Sequence, residues 1–103
     1  MIDQNVSVEE LANRAGEAAD LLKLLANDVR LMLLCRLRQG EASAGELVDL
    51  VGQSQSSVSQ HLAKFRSSGI VATRRDAQTI YYRLASPRVE ALIDTLCDSF
   101  GPE

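Results

Sequence analysis

The sequence has few aromatic residues and no apolar run of membrane-spanning length. Two Phe, two Tyr and no Trp occur among the 103 residues, so aliphatic side chains must supply most of the core. Apolar runs fall well short of the roughly 20 residues that cross a bilayer. The N-terminal residues are polar and acidic and do not resemble a signal peptide. We therefore expect a cytoplasmic protein.

The chain also lacks the residue groups that metal binding and catalysis need. One His and two Cys, far apart in sequence, are too few for the four nitrogen or sulfur ligands of a structural zinc site. No nucleophile lies near a base with a third partner, and there is no phosphate-binding loop. These absences predict that the protein is not an enzyme and carries no metal or other cofactor.

What the chain does contain suits one modest domain over residues 1–103. Hydrophobic residues make up 46% of the composition, enough for a single core at this length. A small core with long apolar helices is often completed by a second subunit, so we expect a homodimer. Two cysteines in a cytoplasmic chain are more often reduced or redox-active than joined in a structural disulfide.

Charge is unevenly distributed along the chain, although the net charge is only −3. Residues 54–83 contain five basic side chains and one acidic side chain, a net charge of +4. Residues 1–53 and 84–103 carry net charges of −4 and −3. A basic block between two acidic ones is typical of a phosphate-binding surface. Chance clustering on a solvated face is the alternative.

Residues 54–66 are predicted to form a helix with one apolar and one polar side. Val58, Leu62 and Phe65 fall at i, i+4 and i+7 and form an apolar stripe, and Ser54 is a suitable N-cap. The other side chains are mostly short polar groups or long donors, the types that reach base edges and phosphates in a major groove. On its own, the stretch fits an ordinary amphipathic surface helix equally well.

The residues before this helix supply the context for a helix-turn-helix. The string SAGE at residues 43–46 is a capping box that opens a short helix, and Gly52 ends that helix. A short helix, a turn of three or four residues that contains Gly, and a second helix make up the motif. The sequence therefore predicts that residues 43–66 form a helix-turn-helix.

Two β-prone segments follow, at residues 70–73 and 79–84. Residues 74–78 lie between them and include Arg74 and Arg75. Two short strands with a charged tip predict a β-hairpin wing, whose arginines could reach a phosphate or the minor groove. A hairpin that only closes the core, with solubilising arginines, is the alternative.

Amphipathic helices are also predicted on both sides of these elements. A capping box at residues 7–10 opens a helix that ends near Leu25, and leaves residues 1–6 loose. Asn27 caps a helix that runs to about Gln39, and Ser86 caps a last helix that ends before Gly101. The predicted order is α-α-α-α-β-β-α, a mostly α winged helix-turn-helix with a small β-hairpin wing.

With the strings SQSSVSQHL at residues 54–62 and TRRDAQTIYY at residues 73–82, the chain closely resembles the ArsR family of winged-helix transcriptional repressors. The resemblance covers nearly the whole chain. It implies a homodimer built mainly from the first and last helices. It also implies binding to an inverted repeat in operator DNA, and release when a small inducer binds or reacts.

DNA contacts are predicted in the recognition helix, at residues 54–66, and at the wing. Half-sites should lie about one DNA turn apart, roughly 34–36 Å between centres. The predicted contacts are Gln55, Ser56, Ser57, Ser59, Gln60, His61 and Lys64 in the helix and Arg74, Arg75 and Gln78 at the wing.

Many members of the family sense metals, but this chain lacks their ligand strings. The helix before the recognition helix contains ELVDL at residues 46–50, with no Cys. The last helix contains Glu90, Asp94 and Asp98 but no His. His61 falls in the recognition helix, where we expect a DNA contact or local packing. A metal- or metalloid-responsive repressor is therefore the less favoured alternative.

Cys35 and Cys97 resemble the dithiol subgroup of the family, which responds to persulfides and other oxidants. The string LMLLC at residues 31–35 matches the second-helix string of that subgroup, and the partner cysteine lies near the chain end. The resemblance implies a repressor that leaves its operator when these thiols are oxidised or persulfidated. Cys97 falls about one turn, about 5 Å, earlier than in the subgroup. The sequence therefore leaves open whether the two sulfurs meet.

Two other functions remain open at this point. One is a DNA-binding repressor without a thiol sensor, in which both cysteines are small buried hydrophobic residues. Replacing both by Ser separates it from a thiol switch. The other is a protein-interaction module, since a helix-turn-helix can serve that purpose too. Its DNA binding would lack salt dependence, because phosphate contacts release counterions.

Overall fold

The computed structural model describes the backbone of residues 4–101 and the side chains of residues 8–101. It is mostly helical with a small antiparallel hairpin, as the sequence predicts. Within the described residues, no helix combines the length and the apolar composition needed to cross a membrane. The elements are α1 Gln4–Leu25, α2 Asp28–Arg38, β1 Ala42–Ser43, α3 Ala44–Val51, α4 Gln55–Ser67, β2 Val71–Asp76, β3 Thr79–Leu84 and α5 Pro87–Phe100.

The predicted N-caps explain where the helices begin. The Ser54 Oγ accepts the Ser57 backbone N–H at 3.1 Å at the start of α4, and Asn27 Oδ1 accepts the Arg30 N–H at the start of α2. Ser43 and Glu46 form the reciprocal capping box of α3. The start expected for α1 is wrong, because that helix already begins at Gln4 and residues 4–6 are helical. Residues 1–3 lie outside the described residues.

The sheet has three strands in the order β1-β3-β2, one more than the sequence predicts. In the β1–β3 pairing, Ala42 lies opposite Tyr82 and Ser43 lies opposite Tyr81. The wing strand β2 also extends to Asp76, past the predicted end at residue 73, because it continues to pair with β3. The tip is thus shortened to the turn at Ala77, whose φ of 57° is left-handed.

Helix α2 lies at the centre of the core, with α3, α5 and β3 packed around it. Its Leu33 and Leu34 have no exposed surface. The stripe predicted for the recognition helix is confirmed, because Val58, Leu62 and Phe65 are all buried. Burying that stripe fixes the rotation of α4 about its axis, and the opposite polar face is left towards solvent.

Candidate nucleic-acid interface and dithiol site

The polar face of α4 is exposed to solvent. The first helical residues, Gln55 and Ser56, follow the Ser54 cap and point away from the core, as do Ser59, Gln60 and Lys64. The turn before α4 is tight because Gly52 takes a left-handed φ of 67°, which few other residues adopt without strain. The α3–turn–α4 unit therefore presents a row of uncommitted donors and acceptors.

Ser57 and His61, two other predicted contacts, are half-buried and already have hydrogen-bond partners within the chain. The Ser57 Oγ donates to Gln53 Oε1 at 3.0 Å. His61 Nδ1 accepts the Arg30 Nε–H at 3.0 Å. Burial, together with the charges of Arg30 and Lys64, lowers the pKa of His61 below its ordinary value. His61 is therefore a neutral, partnered side chain in the free protein.

The wing carries one anchored arginine and one exposed arginine without such an anchor. Both Arg74 donors, Nε and Nη2, lie 2.8 Å from the carboxylate oxygens of Glu41, and its guanidinium lies 4.3 Å from the centroid of the Tyr81 ring. The hydrogen bond from Arg74 is the main cause that lowers the pKa of Glu41. Arg75, the next residue along the strand, points to the other face and is exposed, as is Gln78.

The two thiols, which the sequence left at an uncertain separation, lie side by side. Cys35 Sγ and Cys97 Sγ are 2.9 Å apart, where α2 crosses α5. Both are free and half-buried at the edge of the core. Burial, with the hydrogen bond to Cys97, raises the pKa of Cys35 to about 11, although the charge of Arg38 opposes this shift. Cys35 is therefore a neutral thiol at neutral pH.

An ion pair joins the same two helices one turn away from the thiols. The Arg38 Nε lies against Asp94 Oδ1, and Arg38 Nη2 lies 3.8 Å from Asp98 Oδ1. Arg38 follows Cys35 by three residues, and Asp94 precedes Cys97 by three, so the pairs are adjacent rungs between helices that run in opposite directions. Both carboxylates thus pair with Arg38, the cation whose charge acts on Cys35.

Sequence reasoning missed the partners of the functional side chains. Glu41, Arg38 and Asp94 were not predicted as site residues, and Arg30 was not expected to reach His61. All of these contacts join residues at least 31 positions apart, so no local pattern signals them. Among the described residues, no group of three or more His, Cys, Asp or Glu side chains is arranged to hold a metal ion.

Comparisons with known proteins place this architecture among transcriptional regulators. Residues 27–73 match the family model described as "Bacterial regulatory protein, arsR family". The chain is 44% identical to the transcriptional activator HlyU of Vibrio cholerae over 88% of this chain and 84% of the relative. It is 46% identical to the biofilm growth-associated repressor of Xylella fastidiosa, over 89% and 81%.

A solved structure agrees with these sequence matches. Reduced HlyU from Vibrio cholerae superposes on this chain with a TM-score of 0.85 at 42% identity, and the match covers 91% of this chain and 99% of that one. The helix-turn-helix, the wing and both flanking helices are thus part of a shared fold, and the matched relatives are regulators, not enzymes. The chain belongs to the ArsR family of winged-helix, DNA-binding transcriptional regulators.

Proposed function

We propose that this protein is a sequence-specific repressor that leaves its operator when Cys35 and Cys97 are oxidised or persulfidated. The observation that carries the proposal is the 2.9 Å separation of the two sulfurs, which belong to different helices. A disulfide needs the sulfurs about 2.05 Å apart, so closing the gap requires an approach of less than about 1 Å. The pair is thus poised to form a bond that the reduced fold does not contain.

DNA recognition in this proposal uses the exposed face of α4 and the tip of the wing. Gln55, Ser56, Ser59 and Gln60 supply donors and acceptors for base edges, and Lys64 supplies a phosphate contact. Arg75 and Gln78 extend the surface to a neighbouring phosphate or the minor groove. Ser57, His61 and Arg74 support this surface from behind the residues that contact DNA, because each already has a hydrogen-bond partner within the chain.

A second copy of the chain completes the DNA-binding unit. Leu11 and Leu22 of α1 are 58% and 56% exposed, a high fraction for leucines on one helix. A largely apolar groove of about 640 Å³ lies between α1 and α5. We propose that these helices pair across a twofold axis, so that one domain of residues 1–103 carries both DNA binding and dimerisation. The two recognition helices then meet successive major grooves.

The chemistry needs one sulfur to attack the oxidant and the other to resolve the product. With a hydroperoxide, the attacking thiolate takes the distal oxygen to give a sulfenic acid and releases an alcohol or water. The second sulfur then attacks the sulfenic sulfur, and water leaves as the disulfide forms.

A low-molecular-weight persulfide reaches the same product through a different leaving group. One protein thiolate attacks its outer sulfur, takes up that sulfur as a protein persulfide and releases the parent thiol. Attack by the other cysteine on the inner sulfur of that protein persulfide releases hydrogen sulfide and leaves the disulfide. If both cysteines are first persulfidated, attack of one persulfide on the other gives a trisulfide and hydrogen sulfide. Each bridge changes how α2 and α5 meet.

A regulator without a thiol sensor is the alternative, with both half-buried cysteines acting only as packing residues. Operator binding and intact mass, measured on the same samples, separate the two functions. The operator is first selected by the reduced protein from a random duplex library. Wild type, Cys35→Ser and Cys97→Ser are then treated with peroxide, persulfide or a small disulfide.

We expect the wild type to lose operator affinity to the extent that its intact mass shows a bridge. A disulfide lowers the mass by two hydrogens, and a polysulfide bridge adds sulfur. Neither Ser variant forms an internal bridge, so both should stay bound. Release of both Ser variants under the same treatment would overturn the thiol switch and leave DNA binding intact. Failure of the reduced protein to select any sequence would overturn the DNA-binding role itself. We place the protein in the cytoplasm, where the DNA of a bacterial regulator lies.

A further inference from the structure

His61, a polar side chain of the recognition helix, is bonded to the body of the protein and does not join the exposed outer face. His61 of α4 accepts a hydrogen bond at Nδ1 from Arg30 Nε of α2, at 3.0 Å. The same guanidinium donates through Nη1 to the carbonyl oxygen of Leu24, at the end of α1, at 2.9 Å. Arg30 therefore bridges α1, α2 and α4.

The hydrogen bond defines the state of the imidazole. An Nδ1 that accepts a proton donor belongs to a neutral ring with its hydrogen on Nε2. Arg30 and Lys64 are the charged groups that act on this ring, and both are cationic. A doubly protonated ring could not accept from Arg30 and would be repelled by it, so the contact and the neutral ring support each other.

The bridge lies on the route between the thiols and the DNA-binding face. Arg30 and Cys35 are five residues apart on α2, a rise of about 7.5 Å along a rigid helix. Apart from Arg30 and His61, no pair of side chains within residues 8–101 forms a hydrogen bond between α2 and α4. Towards the core, α4 is otherwise held by its buried apolar stripe, which tolerates sliding better than a directional bond.

We propose that Arg30 is a positioning residue for DNA recognition, which acts through His61 to set the placement of α4 according to the position of α2. The inference rests on the proposed repressor function. When the Cys35–Cys97 bond draws α2 towards α5, Arg30 moves with α2 and takes both of its acceptors to new positions. The recognition helix follows through His61, and the exposed donors of α4 lose their register with the base edges.

Three variants separate positioning from direct contact and from general stability. Arg30→Met keeps an unbranched apolar stem but removes the donors, and His61→Leu removes the acceptor. His61→Gln is the matched control, because its side-chain oxygen can still accept from Arg30. Each variant, and the double variant Arg30→Met with His61→Leu, is measured on the selected operator and on an unrelated duplex of the same length. The proteins are tested reduced and as the disulfide.

We expect Arg30→Met and His61→Leu each to weaken operator binding by about tenfold in the reduced state, the size of one lost charge-assisted hydrogen bond. The double variant should be no weaker than Arg30→Met alone, since both changes remove the same Arg30–His61 hydrogen bond. Binding to the unrelated duplex should stay within about twofold, because phosphate contacts supply it. His61→Gln, which keeps an acceptor for Arg30, should recover most of the operator affinity that His61→Leu loses. The ratio of reduced to disulfide affinity should shrink in the two disrupting variants.

Several results would overturn the positioning role. Additive losses in the double variant would mean that His61 and Arg30 contact DNA independently. Equal losses on both duplexes would mean a phosphate contact or a partly unfolded protein. An unchanged ratio of reduced to disulfide affinity in Arg30→Met would remove the link to α2. A wild type that shows no difference between reduced and disulfide forms would instead overturn the proposed thiol switch.

Discussion

Removing the N-cap of the recognition helix tests whether its first turn reads DNA. Ser54 Oγ accepts the backbone N–H of Ser57 at 3.1 Å, and Gln55 and Ser56 lie within that turn. Ser54→Ala should cost about 1 kcal/mol, a shift of about 4–8 °C in Tm for a domain of this size. The terminal turn of a helix opens at a free-energy cost near zero. Losing about 1 kcal/mol should therefore reduce the fraction of molecules with a formed first turn, and with it the operator affinity, by up to about fivefold.

The assay pairs thermal unfolding with fluorescence anisotropy on the selected operator. Ser86→Ala is the matched comparison, because Ser86 caps α5 through an equivalent bond to the Val89 N–H at 3.2 Å. It should lower Tm by a similar amount and leave operator affinity unchanged. Ser54→Asn keeps a side-chain cap and should restore both quantities. Equal affinity losses in Ser54→Ala and Ser86→Ala would refute a specific role for this turn.

Three further predictions concern charge and pH. Arg75→Ala should reduce the slope of log affinity against log salt by about 0.9, the value of one lost phosphate contact. The Cys35 pKa is raised from 9.0 to about 11, so the folded state keeps a proton that the unfolded state loses. Stability measured by denaturation should therefore fall as pH rises from 9.0 to about 11, and Cys35→Ser should lack this component. Asp94→Asn should free Arg38 to lower the Cys35 pKa and speed thiol alkylation at fixed pH.

Each of these predictions has a control on the same chain. Lys23→Ala, at the end of α1, should leave the salt slope unchanged, and an equal change there would contradict a wing-specific contact. Glu90→Gln removes a carboxylate in the first turn of α5, far from the sulfurs, and should leave the alkylation rate unchanged. Slower alkylation in Asp94→Asn would contradict this prediction. It would show that Asp94 acts mainly by holding the thiols in place, and not by neutralising the charge of Arg38. A pH dependence retained in Cys35→Ser would assign it to another group.

Local chemistry made most of the fold predictable. The caps at Asn27, Ser43, Ser54 and Ser86 define where helices begin, and each depends on residues within three positions of the cap. The apolar spacing in α4 likewise places the buried stripe from one segment alone. Together these signals predict the helix-turn-helix and the polarity of its outer face.

What the sequence could not predict depends on contacts between distant segments. The two-residue strand β1 has no signal of its own, because it exists only through pairing with β3 almost 40 residues later. The wing tip was placed too early because the charged residues Arg74 to Asp76 look like a turn but continue to pair in the sheet. In both cases, pairing with β3 outweighs the local sequence preference and determines which residues form a strand.

The thiol site likewise combines features that the sequence predicts with one that it does not. The sequence places Cys35 and Cys97 on two helices, but it does not give the distance between their sulfurs. One helical turn along α5 changes the position of the sulfur by about 5 Å. Whether the two sulfurs then lie within reach of each other depends on the angle and register of the α2–α5 crossing. In the structure the crossing brings the sulfurs to 2.9 Å, and it places the Arg38–Asp94 pair on the next turn.

In the proposed switch, one bond between α2 and α5 controls operator occupancy. This control can be measured as operator binding by the wild type across a graded series of dithiol and disulfide buffers, with the protein disulfide quantified in each sample. Operator occupancy should fall in proportion to the disulfide fraction and follow a two-electron curve, with a tenfold change in the equilibrium for about every 30 mV. Constant occupancy while the protein passes from fully reduced to fully bridged would contradict the proposed switch.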